Sequence, residues 1–200
     1  MLSESMGHIL VGISMCLGIA GTVPYVRDTL SGRTQPNRVS WTLWATAPLI
    51  AAAASVAAGG DIWTALRTLT AGITPLIVVL ASFLNSRAYW RLGPFDFGCG
   101  ALSVLALVAW GMTDSPRLAV VLAATADGVA SLPTLRKAWR DPESETGVTF
   151  LIGLLSNCIP LPSIPVWNIE NAAFPLYLLA INSSLTFATY RRSWRRTGHS

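Results

Sequence analysis

The chain alternates long apolar blocks with short polar segments, and apolar residues fill each block instead of recurring at amphipathic spacing. Crossing the hydrocarbon core takes about 17–25 residues per helix, and the blocks are long enough to do so. The pattern predicts an all-α integral membrane protein with seven transmembrane helices. Their predicted bounds are His8–Val26, Ser40–Ala58, Ile62–Asn85, Phe95–Met112, Arg117–Leu135, Val148–Pro162 and Ala172–Tyr190. The short sixth helix runs into Pro160, Pro162 and Pro165, so we expect irregular backbone at its end.

One pattern of residue types occurs twice along the chain, and the two copies align without a gap. Pro24 aligns with Pro133 at an offset of 133 − 24 = 109 residues. The same offset aligns Arg27 with Arg136, Val39 with Val148, Ser40 with Thr149 and Trp41 with Phe150. Pro75 and Pro175, each followed by Leu, align the third helices at an offset of 100. We therefore interpret the chain as two copies of a three-helix unit.

The composition agrees with a membrane protein and limits what else the chain contains. Hydrophobic residues make up 52%, charged residues 12%, and the mean hydropathy is +0.51. A soluble domain carries roughly 25% charged residues, so a sizeable soluble domain is excluded. We interpret the net charge of +4 as information on orientation, and we expect no nucleic-acid partner.

The basic residues predict that orientation. All fourteen Lys and Arg residues except Arg67 and Arg117 fall on one side, in loops 1–2, 3–4 and 5–6 and in the tail. By the positive-inside rule the N-terminus is outside and the C-terminus cytoplasmic, in a plasma (inner) membrane. Two three-helix units share an orientation only if an odd number of helices separates them. The predicted 3+1+3 arrangement has a first repeat in 1–93, an inverting linker helix in 94–115, and a second repeat with a basic tail in 116–200.

Four prolines and two short segments carry a resemblance to a known family. The prolines, one each in helices 1, 2, 5 and 6, are Pro24, Pro48, Pro133 and Pro160. The segment SETGVT at 144–149 resembles the Ser-x-x-Gly-x-Ser segment that follows a PQ motif, and TQPNRVSW at 34–41 is its counterpart. The dipeptides Pro24-Tyr25 and Pro133-Thr134 stand where that family has Pro-Gln. Over nearly its whole length the chain resembles the SWEET and PQ-loop superfamily, which implies this fold and small-solute transport but no particular substrate.

The same prolines have a physical interpretation. Each one removes a backbone donor and bends its helix, so four paired bends predict hinges that open one end of the bundle while closing the other. The alternative is structural, because prolines are common in membrane helices, where neighbours satisfy the freed carbonyls.

Asp127 is the residue whose insertion into a membrane costs the most free energy in this sequence. It lies about midway along the apolar run 118–135. A carboxylate costs about 2.5–3.5 kcal/mol at a helix centre on insertion scales. It shares a helix face with Ser131 and Thr134, and the equivalent face of helix 1 carries Gly18, Thr22 and Tyr25. One carboxylate in two copies suits a polar solute, a cation or a proton, so we predict substrate binding and proton coupling. The alternative is a carboxyl that holds the bundle together through hydroxyls such as Ser131.

Further candidates for substrate contacts are the remaining polar and aromatic side chains near the midplane. Asn157 and Asn182 offer both donors and acceptors, and the resemblance implies that polar residues in helices 3 and 7 line the pocket. Ser82 takes the helix 3 position opposite Asn182, at the offset of 100. Trp44 is a candidate pocket wall or a member of the interface belt, and Ser131 and Thr22 complete the set. The alternative role of each Asn is to hydrogen-bond to a neighbouring helix and so stabilise the bundle.

The sequence shows no catalytic, metal or cofactor signature. No nucleophile–base constellation, metal-ligand cluster or phosphate-binding loop is present, so we expect neither an enzyme nor a cofactor. Cys16, Cys99 and Cys158 are interpreted as small apolar residues. The charged segment DPESET at 141–146 is predicted to be a solvated cytoplasmic turn.

The sequence therefore predicts a SWEET-like transporter that moves a sugar, amino acid or vitamin-like solute by alternating access. A non-transporting membrane receptor on the same fold remains open, because the KDEL receptors resemble this superfamily. Lipid handling also remains open, since the helix segments 51–58 and 119–126 are rich in small residues. The expected partners are the small solute, the lipid bilayer and, since this family often assembles further, a homo-oligomer.

Overall fold

The computed structural model describes residues 4–57, 59, 61–164 and 166–197. These residues form seven α-helices and no strand. The helices are α1 Glu4–Leu30, α2 Arg38–Ala57, α3 Ile62–Leu84, α4 Pro94–Gly111, α5 Pro116–Arg140, α6 Gly147–Cys158 and α7 Ile169–Thr197. Single 3₁₀ turns occur at Ser86–Ala88, Pro142–Ser144 and Leu161–Ser163. Pro165 and the predicted helix end at Ala58 lie outside the described residues, as do 1–3 and 198–200 of the predicted repeats.

Six of the described helices are long and apolar enough to cross a membrane, which agrees with the prediction of an all-α membrane protein. The exception is α6, whose 12 residues span only about 18 Å. It ends at Cys158, so Pro160 lies beyond the helix in which it was expected, and a 3₁₀ turn follows. The irregular end predicted from the prolines is therefore present. The long helices extend beyond their apolar blocks, because hydropathy marks only the part of a helix that crosses the bilayer.

The helices pack in the same way within α1–α3 and within α5–α7. In the first group α3 contacts both α1 and α2, and in the second α7 contacts both α5 and α6. The groups meet crosswise, with α1 on α6 and α2 on α5, while α4 packs against α5 and α2. A central seam thus runs between the first helix of each group and the second helix of the other.

Glycines allow the closest approaches between helices. A Cβ on Gly21 of α1 would lie 2.8 Å from Ile152 Cγ2 of α6, across the seam. A Cβ on Gly72 of α3 would lie 2.7 Å from Leu49 Cγ and 3.0 Å from the Ala45 carbonyl oxygen of α2. The second contact involves backbone, which cannot move aside as a side chain can.

Replacing Gly72 by Ala is therefore expected to destabilise the protein by about 1–3 kcal/mol, the usual cost of overpacking. This cost opposes the gain of about 1 kcal/mol that Ala brings to a helix. Gly98→Ala is the matched control, because its Cβ position in α4 has no atom within 4 Å apart from its chain neighbours and the backbone of its own helix. Thermal unfolding in detergent should show a lower midpoint for Gly72→Ala only. An equal rise in both variants would mean that α3 does not approach α2 at Gly72.

Candidate functional site

Loops of both helix groups meet at one end of the bundle, which we call the basic end. It comprises the segments that join α1 to α2, α3 to α4 and α5 to α6. The backbone N–H of Gln35, in the first segment, donates to the carbonyl oxygen of Ser144, in the third, over 3.0 Å. Asn85 Nδ2, in the second, donates to the Leu30 carbonyl oxygen over 2.7 Å. Direct hydrogen bonds therefore tie this end together.

The starts of two helices are fixed jointly at this end by Asn37. Its Oδ1 accepts from the backbone N–H groups of Val39 and Ser40 over 3.1 and 3.3 Å, which caps α2. Its Nδ2 donates to Asp96 Oδ1 over 2.7 Å, and Asp96 Oδ2 accepts from the Gly93 N–H over 2.6 Å at the start of α4. The position of α4 beside α2 is thereby set by hydrogen bonds between buried groups.

A buried ion pair lies at the centre of the basic end. Lys137 Nζ, near the end of α5, is 2.7 Å from Glu145 Oε1 in the loop before α6, and neither side chain is more than 1% exposed. The ammonium also donates to the carbonyl oxygens of Gln35 and of Ser144, the latter over 3.1 Å. The ring of Trp90 lies 5.1 Å from Nζ. Since a buried charge is costly without partners, it matters that the ammonium has one carboxylate as counter-ion and two carbonyl oxygens as hydrogen-bond acceptors.

The two carbonyl groups bound by Lys137 are equivalent in the internal repeat. Their separation is 144 − 35 = 109 residues, which is the offset that aligns Pro24 with Pro133. One ammonium therefore bridges corresponding points of the two helix groups. The equivalent of Lys137 itself is Asp28, because 137 − 109 = 28, so the charge at this position differs between the copies.

An aromatic layer lies against the ion pair. The Tyr25 hydroxyl donates to Glu145 Oε2 over 2.5 Å. The Tyr25 ring, fully buried, is 4.4 Å from the ring of Trp41 and 6.1 Å from that of Phe150, centroid to centroid. Trp44 packs edge-on against Trp41 at 5.1 Å. Because Trp41 and Phe150 are repeat-equivalent, each helix group supplies one ring to this layer.

A second polar link joins the same two loops. The hydroxyl oxygens of Thr34 and Thr146 are 2.6 Å apart, and both side chains are buried. Thr146 also donates to Asp28 Oδ2 over 3.0 Å, and Asp28 in turn pairs with Arg33. The loop of one helix group therefore contacts that of the other through side chains as well as backbone.

The prediction that the DPESET segment is a solvated turn is wrong for its second half. Ser144, Glu145 and Thr146 are buried, because they face the α1–α2 loop and not solvent. Burial raises the pKa of the Glu145 carboxyl above its ordinary value, and the ammonium of Lys137 and the hydroxyl of Tyr25 oppose that rise. Sequence reasoning assigned Lys137 and Glu145 to a charged loop, since their pairing depends on tertiary contacts.

Asp127 lies in the middle of α5, away from the basic end, where it is partly buried against α7. Tyr177 donates its hydroxyl to Asp127 Oδ2 over 2.6 Å. The Ser131 hydroxyl donates to the Asp127 carbonyl oxygen over 2.7 Å and is 3.1 Å from the Tyr177 hydroxyl. The carboxylate keeps further acceptor capacity beyond this hydrogen bond. The sequence identified Asp127 and Ser131 as neighbours but not Tyr177, which is 50 residues away.

Asn157 and Asn182 both lie beside Gly153 of α6. Asn157 Nδ2 donates to the Gly153 carbonyl oxygen over 2.9 Å, within its own helix. Asn182 Oδ1, from α7, would lie 2.7 Å from a Cβ on Gly153, so a larger residue at this position would require the Asn182 amide to shift. Asn182 Nδ2 donates to the Leu178 carbonyl oxygen over 2.9 Å. Each amide thus has one local bond and a remaining polar atom.

The other predicted contact residues are dispersed. Ser82 is fully buried near the basic end, where its hydroxyl accepts from Arg38 Nε over 3.1 Å. Trp44 belongs to the aromatic layer. Thr22 donates to the Gly18 carbonyl oxygen of its own helix over 2.9 Å and lines an outer groove of α1 and α3. The structure therefore brings Asp127 to Ser131. Asn157 and Asn182 each lie beside Gly153, whereas Ser82 bonds to Arg38.

A pair of hydrogen-bonded serines across the central seam was not predicted from the sequence. Ser14 of α1 and Ser156 of α6 each donate to the other's carbonyl oxygen, over 2.9 and 2.8 Å. Gly18, the repeat equivalent of Asp127, faces the same Ser156 at 3.7 Å from its Cβ position.

The described residues thus form two polar features. One is the buried ion pair with its aromatic layer at the basic end, and the other is the Asp127 carboxylate of α5 with Tyr177 of α7. No group of three or more His, Cys, Asp or Glu residues suitable for a metal ion occurs in the described part of the chain. Comparison with protein-family models, curated proteins and solved structures finds no match.

Proposed function

We propose that this protein is a SWEET-like membrane transporter that moves a small polar solute by alternating access. The observation that carries the proposal is the bridge made by Lys137 between the equivalent carbonyl groups of Gln35 and Ser144. The bridge consists of hydrogen bonds and an ion pair without a covalent link, so the two loops can separate. We interpret it as the closed gate of a pathway between two repeats.

The packing supports a 3+1+3 arrangement for this pathway. Each proposed repeat has its third helix between the other two, and the repeats contact each other reciprocally through α1 with α6 and α2 with α5. Such contacts are expected from parallel repeats related by an axis along the membrane normal. The helix α4 then acts as the inverting linker. The basic end would face the cytoplasm by the positive-inside rule, with the N-terminus outside.

Asp127 is proposed as the group that binds the solute or exchanges a proton. Intramembrane acids are costly, and they commonly mark substrate or proton pathways. The Tyr177 hydroxyl donates to the carboxylate and lies beside the Ser131 hydroxyl, which leaves acceptor sites on the carboxylate for a donor on the solute. Hydroxyl-bearing, amino or amide solutes match this chemistry, which leaves sugars, amino acids and vitamin-like compounds as candidates. No reaction is proposed for the chain.

The test is uptake into proteoliposomes from a panel of labelled sugars, amino acids and vitamins, with and without a pH gradient. We expect one class to accumulate in the wild type under a gradient, and accumulation to be lost in Asp127→Asn. Asp114→Asn is the matched control, because Asp114 is exposed between α4 and α5. If the solute equilibrates equally in wild type and in both variants, the protein is a transporter but Asp127 does not couple transport to protons. No movement of any solute by folded protein would favour the receptor alternative.

A further inference from the structure

Two apolar grooves of similar size lie on the outside of the bundle. One, of about 560 Å³, lies between α1 and α3 and includes Val23, Val26 and Leu30. The other, of about 570 Å³, lies between α4, α5 and α7 and includes Leu132 and Leu135. We call them the first and the second groove.

The two grooves correspond to each other in the internal repeat. At the offset of 109, Val23 aligns with Leu132, Val26 with Leu135, Arg27 with Arg136, Leu30 with Trp139 and Ser31 with Arg140. Each groove therefore combines an apolar wall with an arginine toward the basic end. Recurrence at equivalent positions argues that the grooves follow from the architecture and not from a local packing defect.

The second groove carries more positive charge than the first. It includes Arg136 and Arg140, whereas the first has Arg27 and the neutral Ser31. Among the described residues no carboxylate forms an ion pair with Arg136 or Arg140. The guanidinium of Arg136 lies 4.6 Å from the ring centroid of Phe95, which holds it beside the groove.

The base of the second groove is braced by the end of α7. Arg191 Nη1 donates to the Ala138 carbonyl oxygen over 3.2 Å, and its Nη2 donates to that of Trp139. Arg192 Nη2 donates to the Arg140 carbonyl oxygen over 3.0 Å. These bonds hold two further guanidinium groups close to Arg140. Several arginines around an apolar wall fit a ligand with one acyl chain along the wall and an anionic head.

We infer that the second groove binds an acidic phospholipid of the membrane. Its acyl chain lies along Leu132 and Leu135, and its phosphate accepts hydrogen bonds from Arg136 and Arg140. Arginine suits this contact because its planar fork can bind two phosphate oxygens at once. The cytoplasmic leaflet carries anionic lipids that attract basic segments, which is the leaflet expected at the basic end. The lipid is a bound component here and not the transported solute.

The test is lipid binding to purified protein in detergent, measured by native mass spectrometry and by thermal unfolding. The probes are phosphatidylglycerol and phosphatidylcholine with identical chains, and inorganic phosphate alone. Arg136→Gln/Arg140→Gln is expected to bind phosphatidylglycerol about 10- to 30-fold more weakly than wild type. The matched control is Arg87→Gln/Arg91→Gln, which removes the same charge from exposed residues of another loop at the basic end.

The inference holds if the preference for phosphatidylglycerol is lost in the groove variant and kept in the control. It is overturned if both variants lose the preference equally, since the effect would then be general surface charge. It is also overturned if wild type binds both lipids alike, or if inorganic phosphate reproduces the stabilisation. If the double variant does not fold, Arg140→Gln alone provides the test, because its exposed side chain makes no hydrogen bond in the described structure. Uptake is not the readout, so this test is independent of the proposed transport.

Discussion

Replacement of Lys137 by Met is expected to lower the free energy of unfolding by about 3–5 kcal/mol at neutral pH, the usual cost of removing one partner of a buried ion pair. The substitution leaves Glu145 without its counter-charge and leaves the carbonyl groups of Gln35 and Ser144 without the ammonium donor. A chain of this length should unfold roughly 6–20 °C lower, as measured by thermal unfolding in detergent.

Two comparisons identify the ion pair as the cause. Adding Glu145→Gln to Lys137→Met removes the isolated carboxylate, so the double variant should recover part of the lost stability. Arg117→Met is the matched control, because it breaks the pair with Glu170, in which the Arg117 side chain is 73% exposed. Exposed pairs contribute little, so we expect a small change in its unfolding temperature. A Lys137→Met protein as stable as this control would show that the buried bridge does not hold the basic end closed.

The loss in Lys137→Met should also depend on pH. Burial already raises the pKa of Glu145, and removing the ammonium takes away the main opposing influence, so the pKa rises further. A carboxyl with a raised pKa in the folded state favours folding when it is protonated. The stability deficit should therefore be largest at neutral pH and shrink as the pH falls through that raised pKa. A deficit that grows on acidification would contradict the uncompensated carboxylate as its cause.

Some features of the site could be predicted because they are local in sequence. Asp127 is conspicuous in an apolar run, and its proximity to Ser131 follows from helical spacing. The irregular backbone after α6 was predictable because proline cannot continue a helix, although α6 ends at Cys158 and not at the predicted Pro162. These inferences need only hydropathy, periodicity and the chemistry of one residue type.

The proposed gate could not be predicted because its parts come from three separate segments, namely the end of α5 and the loops that follow α1 and α5. Lys137 follows an apolar block and resembles an ordinary topology-determining charge until the carbonyls of Gln35 and Ser144 are placed around it. Glu145 resembles a solvated acid until Tyr25 is found at 2.5 Å. The repeat offset did contain a signal, since it pairs Gln35 with Ser144, but an offset does not show that equivalent residues touch.

Joining the two loops of the proposed gate covalently is expected to abolish the proposed uptake. Thr34 and Thr146 come from different proposed repeats, and their hydroxyl oxygens are 2.6 Å apart, so cysteines at these positions should form a disulfide. The pair is placed in a background in which Cys16, Cys99 and Cys158 are replaced. After oxidation, uptake of the solute identified by the panel should fall at least about tenfold, because one closed end prevents alternating access. Reduction should restore it.

The informative control is a cross-link that leaves the gate free. His8 and Trp63 stack at 5.0 Å between α1 and α3, within a single proposed repeat. Cysteines at these two positions, joined by a short bifunctional reagent, should reduce uptake far less, because α1 and α3 are expected to move together. The oxidised Thr34→Cys/Thr146→Cys protein should still bind solute when both faces of the protein are accessible in detergent, which separates a locked gate from a damaged site. Full uptake by fully cross-linked protein would mean that solute does not pass between these loops, and the gate would then be only a structural clamp.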